Sequence, residues 1–484
     1  MKNYYFPKDY EKISNQFEVT SNGEAIGVYK CRVSAHPLNQ EWPGYQRPIE
    51  QTEETSYVML GSDGQITLDI IPAKPFENVV VRPLSKNIKP QIVGSSVQVT
   101  FPGPGQYTVE FDGIHNTIAV FINPKKEFDI DKASSDVIYF GPGVHTETFK
   151  INMQDNQTVF IDEGAVLYGG ISAIRKSNVS VVGYGIIDNS KMMRDTAAVY
   201  YSGDGEYYGT PLFFENCENI RVEGITIVDS SCFSLHVDGC TNFTADNIKI
   251  IGMWRYNSDG CDMCNCTNAV LKNSFLRTFD DSIVIKGLKA NNHLPVENIT
   301  AENCVVWCDW GRALEIGAET SAPYMRNIVF KNCDLIHGCH IMMDIQHGDR
   351  AFISNVLFED IRAEYTGVEH EPVFQSCKDE VYQYPQNGFL PSLFTLISGV
   401  THWSCDSFAG DMKDIYFKDI TVTVDSGAVP PSEITFRDKD KPTVIDNIHF
   451  DNIVINGKKV DFDGLNINVD DGIGKIVFDG SRVN

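Results

Sequence analysis

No apolar run in this 484-residue sequence approaches the roughly 20 residues of a membrane-spanning helix, so no membrane partner is expected. The opening stretch, MKNYYFPKDYEKISNQ, lacks the apolar core of a secretory signal. The expectation is a cytoplasmic protein, or a secreted or periplasmic one whose signal has been removed. Positive charge is scarce: 40 Lys and Arg stand against 65 Asp and Glu, a net charge of −25. Such a surface repels phosphates and polyanionic glycans, which argues against nucleic acid as a partner; it also serves solubility. No small disulfide framework is visible. Thirteen cysteines, an odd count in a long chain, fit reduced and buried thiols. No His completes a zinc set with Cys261, Cys264 and Cys266, so neither a metal nor another cofactor is expected.

With 42 % hydrophobic and 22 % charged residues, the chain is globular and long enough for more than one domain. Residues 1–125 hold short alternating segments, VYKCRV, YVMLG, QITLDI, NVVVRPL, SVQVTF, YTVEF and TIAVFIN, broken by Gly, Pro and Asn. They read as an N-terminal antiparallel β-sandwich domain. The stretch INPKKEFDIDKASS reads as a linker into a second domain over 126–484.

That second part repeats. Its anchors are Asn178, Asn219, Asn242, Asn268, Asn298, Asn327, Asn355, Asp414 and Asn447, and positions +1 and +3 from each are apolar without exception. Alternation with period 2 makes each unit open with a strand whose +1 and +3 side chains share one interior. Five successive spacings, from Asn219 to Asn355, are 23, 26, 30, 29 and 28 residues. With no helical 3.6-residue pattern inside the units, stacked coils of this length predict a parallel β-helix. Cys217, Cys240, Cys266, Cys304 and Cys333 recur at fixed offsets and read as internal ladders. Two intervals are long, 41 residues after Asn178 and 59 after Asn355. Both are expected to carry loops rich in Tyr, Phe and Trp, able to stack on sugar rings or simply to pack the loops, and either has room for an irregular coil.

The chemistry concentrates between Trp254 and Gly287, where Asn257-Ser258-Asp259-Gly260 is followed by Asp280-Asp281, twenty-one residues after Asp259. The segments CFSLHV, DGCDMC, DDSIVI, GRALEI and HIMMDI align as successive rungs. Rungs lie about 4.8 Å apart, so Asp259 and the Asp pair can be neighbours. Crowded carboxylates cannot all ionise freely: one is held protonated and can act as an acid, while the others can activate water. That is the inverting glycosidase scheme. An adjacent pair on an ideal strand would point to opposite sides, so Asp280-Asp281 requires a bend or bulge.

Asn257-Ser258-Asp259-Gly260-Cys261-Asp262 and Asp280-Asp281-Ser282-Ile283-Val284-Ile285-Lys286 resemble the NTD and DD motifs of the polygalacturonase superfamily of β-helix glycosidases. The layout, with YFGPGVHTETFKI and TVFIDEGAVLYGGI entering the coil after a β-rich N-terminal part, looks more like the dextranase and isopullulanase branch. The resemblance spans roughly residues 137–484. It implies an all-β, right-handed parallel β-helix in which Asp280 is the acid and Asp259 and Asp281 hold the water. Two features depart from it. Where polygalacturonases carry Gly-His-Gly, this chain has Trp310-Gly311-Arg312-Ala313-Leu314-Glu315; where they carry a uronate-gripping Arg-x-Lys, it has His340-Ile341-Met342-Met343-Asp344-Ile345-Gln346-His347.

The catalytic candidates are therefore Asp259, Asp280 and Asp281. The substrate-binding candidates are Asn257, Asp262, Lys286, Arg312, Glu315, Asp344 and His347. Glu315, Asp344 and His347 suit hydroxyl groups, and Arg312 is either an orienter of a catalytic carboxylate or an ordinary ion-pair partner. The expected partner is a carbohydrate and the expected activity inverting hydrolysis of an α-linked neutral glycan of the dextran or α-glucan kind. The alternatives are a galacturonan hydrolase, a lyase on the same fold, or a non-catalytic carbohydrate-binding β-helix.

Overall fold

The structure, a computed structural model, describes residues 1–36, 47–146, 150–192, 209–367, 389–441 and 443–484. All seven N-terminal segments form strands. Tyr29–Ser34, Thr52–Gly61, Val79–Arg82, Gly105–Phe111 and Thr117–Asn123 join Lys2–Asn3 in one sheet. Ile66–Pro72 and Ser96–Phe101 join Phe17–Ser21, Glu24–Ile26 and Gln91–Val93 in another. The two sheets close over a core that includes Val58, Leu60, Leu68, Val97, Val109 and Val120. One pairing departs from the antiparallel expectation: Thr117–Asn123 runs parallel to Thr52–Gly61. The chain between them passes through the second sheet, which gives it the length a parallel return needs.

From Val137–Phe140 onward the chain coils into a parallel β-helix built on one sheet of 21 strands and one of 11. The residues at +1 and +3 of every anchor, from Val179 and Val181 to Ile448 and Phe450, lie in a single continuous core. Cys217, Cys240, Cys266, Cys304 and Cys333 share it, and no disulfide joins any of the twelve described cysteines.

The anchors have a physical identity that the pattern alone does not give. All nine adopt left-handed backbone, with φ between 54° and 59°, a conformation that Asn and Asp tolerate better than other side chains. At this corner their amides form a ladder. Asn219 Nδ2 donates to Asn178 Oδ1 (2.9 Å), Asn242 to Asn219 (3.0 Å), Asn268 to Asn242 (3.2 Å), Asn298 to Asn268 (3.0 Å), Asn327 to Asn298 (2.9 Å) and Asn355 to Asn327 (2.8 Å). Asn178 in turn donates to Asn156, an anchor disguised in the sequence by Gln157 at its +1 position.

The long intervals hide no extra coil. Asn178 and Asn219 are bonded neighbours across the 41-residue interval, and Val356 pairs with Ile415 across the 59-residue one. Of the aromatic-rich stretches read from the sequence, 193–208 and 369–388 lie outside the described residues, whereas 389–408 are described, with Phe394 buried and Trp403 and Phe408 exposed.

The N-terminal sheets pack on the outer face of the coil through Tyr10, Tyr29, Tyr57 and Phe121 against Tyr168, Ile186, Phe275 and Trp307. A buried cross-link secures them. Arg82 Nε reaches Glu110 (2.9 Å) and its Nη1 reaches Glu364, while His337 Nε2 meets Glu110 Oε1 (2.8 Å). The eleven-stranded sheet is left to carry the acids.

Candidate active site

Leu235–Asp238, Cys261–Cys264, Ile283–Gly287, Arg312–Thr320 and Ile341–His347 are consecutive strands of that sheet, as the aligned segments require. Cys261 pairs with Ile283 and Ile283 with Leu314. Continued two residues back, this register aligns Asp259 with Asp281 and Asp281 with Arg312. The main chain carries it there: Gly260 N donates to Asp281 O and Ser282 N to Arg312 O, both at 2.8 Å.

Asp280 and Asp281 lie off the strands, in the bend between Phe275–Thr278 and Ile283–Gly287. The bend breaks the alternation that would send their side chains apart. The next coil presses into it. A Cβ on Gly311 would stand 2.5 Å from both the N and Oδ1 of Asp281, so only glycine fits before Arg312. The Asp280 carboxylate accepts the N–H groups of Asn257 and Asp281, each at 3.1 Å. Asn257 reaches it from a left-handed turn (φ 55°).

Two cations hold the acids. Lys286 Nζ lies 3.2 Å from Asp259, 3.7 Å from Asp262 and 3.8 Å from Asp281. The Arg312 guanidinium lies 3.5 Å from Asp281, 3.9 Å from Glu315 and 3.5 Å from Asp344, and the main-chain N–H of Arg312 donates to Asp281 Oδ1 (3.0 Å). Asp281 touches both cations. Burial pushes Asp281 up, but the charges of Arg312 and Lys286 outweigh it and hold this carboxyl below its ordinary range. Asp280 goes the other way: burial, and then the charges of Asp259 and Asp281, push it well up. Asp259 is likewise raised, by burial against the pull of Lys286.

The outward column of the sheet runs His236, Asp262, Val284, Glu315, Asp344, Thr395 and Glu433 in register. Although they face away from the core, Asp262, Glu315 and Asp344 are fully buried. Burial raises Asp262 to about 8 and Asp344 to about 7, and pushes Glu315 well up. Burial thus favours the protonated form of each, in which a carboxyl can donate as well as accept. Burial also lowers His236 to about 3.

The predicted residues are thus brought together, apart from one. His347 is three positions beyond Asp344, an odd spacing that turns it to the other side of the strand. Its Nδ1 meets the Thr320 hydroxyl (2.9 Å), and burial lowers it to about 4. Gln346, two positions beyond Asp344, occupies the face expected for it: its Nε2 donates to Asp344 Oδ2 (2.9 Å), and Arg437 donates to its Oε1. Neither Gln346 nor Arg437 carries a local sequence signal, although the even spacing from Asp344 could have found the first. An aromatic cluster beside the acids was also unread. Tyr256, beside Asn257, packs on Trp310 at 4.9 Å between ring centres, and Phe279 packs on Trp310 at 5.3 Å.

Known proteins bear on this arrangement. The model of the family described as Glycosyl hydrolases family 28 matches residues 123–379. An isopullulanase of Aspergillus niger is 22 % identical over 370 residues, covering 65 % of this chain and 62 % of that protein. A probable polygalacturonase of Arabidopsis thaliana is 25 % identical over 160 residues, 30 % of this chain and 33 % of its own length. Rhamnogalacturonase B of Aspergillus niger is 26 % identical over 142 residues, 29 % of this chain and 24 % of its own length. The chain therefore spans less than two thirds of these relatives. In fold it is similar to Dex49A from Penicillium minioluteum, with a TM-score of 0.68 at 13 % identity over 98 % of this chain and 96 % of that one. The family model covers more than half of the sequence, including both acid motifs and the strands that set their register, and the chain belongs to glycosyl hydrolases family 28.

Proposed function

We propose that this protein is an inverting glycoside hydrolase that cleaves α-glycosidic bonds of a neutral glycan, of the dextran or α-glucan kind. Asp280 is the general acid and protonates the departing glycosidic oxygen. Asp259 and Asp281 hold the water, and Asp281, the carboxyl held below its ordinary range, takes its proton as it attacks the opposite face of the anomeric carbon. The opposed shifts of adjacent Asp280 and Asp281 support this division: one carboxyl keeps its proton and the other gives it up, in a single bend. Residues 126–484 form the catalytic domain in this reading, and 1–125 a separate sandwich.

The observation that carries the choice of a neutral sugar is the pairing of the cations. Lys286 lies within 4 Å of three carboxyl groups and Arg312 of three, so both are turned onto the protein's own acids and neither is presented alone to a uronate. Glu315, Asp344 and Asp262, whose carboxyls burial pushes up, suit sugar hydroxyls instead. One observation favours a galacturonan: Arg437, exposed and held only through Gln346 to Asp344 among the described contacts, could meet a carboxylate.

A hydrolysis screen over dextran, pullulan and polygalacturonate, with Asp280→Asn as the control, separates the two. Release from a neutral α-glycan is expected, with the inverted anomer seen first by proton NMR. Exclusive activity on polygalacturonate would overturn the substrate, and a retained anomer the mechanism.

A further inference from the structure

The strands that begin at the acids end at a second opening. Gly287 pairs with Thr320, which sets Lys286 beside Glu319, and the Glu319 carboxylate acts on the Lys286 ammonium. Beyond them lies a cleft of about 370 Å³ bounded by Leu288, Lys289, Ala290, Glu319, Trp403 and Cys405. That size is within the range of small-ligand clefts.

Trp403 is 44 % exposed on a loop that is firmly tied down. Buried Asp349 accepts the N–H groups of Cys405 and Asp406, both at 2.7 Å, and its other oxygen accepts Thr320 N (3.0 Å). Ser404 Oγ donates to Gly348 O (2.7 Å), and Arg350 pairs with Asp406 (2.7 Å). Asp349 therefore joins the loop to the strand that bears Glu319. The indole is presented by a braced scaffold beside one carboxylate and one ammonium, Glu319 and Lys289. An apolar ring face next to two hydroxyl-binding groups matches a pyranose, whose C–H face stacks while its hydroxyls hydrogen-bond. Bracing matters because a platform held in place before binding loses little freedom when the sugar lands.

We propose that this cleft is a sugar subsite, with Trp403 as its platform, for a ring of the same glycan several units from the bond broken at Asp280 and Asp281. The subsite rests on the hydrolase reading for its place on a substrate, but not for its ability to bind sugar. Calorimetric titration of the Asp280→Asn protein with neutral and acidic oligosaccharides of increasing length tests it, with and without Trp403→Ala. Affinity should rise with chain length, and Trp403→Ala should abolish that rise, weakening the longest ligands about tenfold. Trp403→Phe should restore most of it. In the otherwise wild-type enzyme, Trp403→Ala should lower kcat/KM on long substrates far more than on an aryl glycoside. If binding is length-dependent but wild-type protein cleaves nothing, the hydrolase reading fails and the subsite stands. Equal affinities with and without Trp403 at every length, or no glycan bound at all, would overturn the subsite.

Discussion

Two stacks of polar side chains climb this coil, and they obey opposite rules. At the left-handed corner, neutral amides repeat from Asn156 to Asn355, exposed to water and bonded each to the next. On the eleven-stranded sheet, Asp259 and Asp281 give way to Arg312, and Asp262 stands in a column with Glu315 and Asp344, all within the protein and crowded by like charge. One stack satisfies its hydrogen bonds with identical partners and costs little to extend. The other crowds five carboxyls around two cations, Lys286 and Arg312, where burial is expensive. Repetition supplies the scaffold, and chemistry sits where the repeat is broken by charge.

The contrast can be broken at the acids first. Asp280→Asn should lower turnover at least a hundredfold, the usual size of general-acid assistance, and leave the denaturation midpoint in place. Unchanged turnover would remove Asp280 from the chemistry.

Lys286→Met should have the next largest effect, about a tenfold loss of kcat/KM with a moved pH profile. Asp281 is held below the ordinary carboxylate range, so in the intact protein the acidic limb should lie low; Asp280 is raised, so the loss of its proton should set the alkaline limb high. Removing the Lys286 charge destabilises the ionised carboxylate and should move the acidic limb upward. A profile of kcat/KM against pH that shifts downward, or not at all, would contradict the role given to that ammonium.

The corner should respond in stability alone. Asn268→Ala loses amide bonds to Asn242 and Asn298 and places Ala in left-handed backbone. A loss of about 1–3 kcal/mol is expected in urea titration, with kcat preserved. The smallest effect comes from a repair. Asp414 accepts Asn447 (2.6 Å) but has no amide to offer Asn355. Asp414→Asn should complete the ladder and add about 0.5–1 kcal/mol; a destabilised variant would mean that the anchors act only through their backbone.

What was legible in the sequence follows the same division. The repeat was readable because an identical side chain recurs wherever the backbone turns left-handed, with apolar residues at fixed offsets. The acid motifs were readable because Asp259 and Asp280-Asp281 stand one coil apart. The pairing of Asp281 with both Lys286 and Arg312 was not readable, because it depends on register and on a bend that Gly311 alone permits. The Glu110–Arg82–Glu364 cross-link joins residues 282 positions apart, from Arg82 to Glu364, and has no local signature. One signal was present and unread: Asn22-Gly23, a two-residue turn with φ 51° and 80°, closes the hairpin of Phe17–Ser21 and Glu24–Ile26. His347 went astray by parity, since an odd step along a strand changes sides.

The direct bond between Asn178 and Asn219 has a consequence for how such a protein can change. Forty-one residues separate these two in the chain, yet their rungs meet as closely as rungs separated by twenty-three. Length is therefore a free variable between anchors. Segments can be inserted, lost or exchanged at the coil's margins while the catalytic spacing stays fixed, much as fittings are changed along a rail. Selectivity for glycan shape can drift at those margins, one segment at a time, without reopening the question of how the bond is cut.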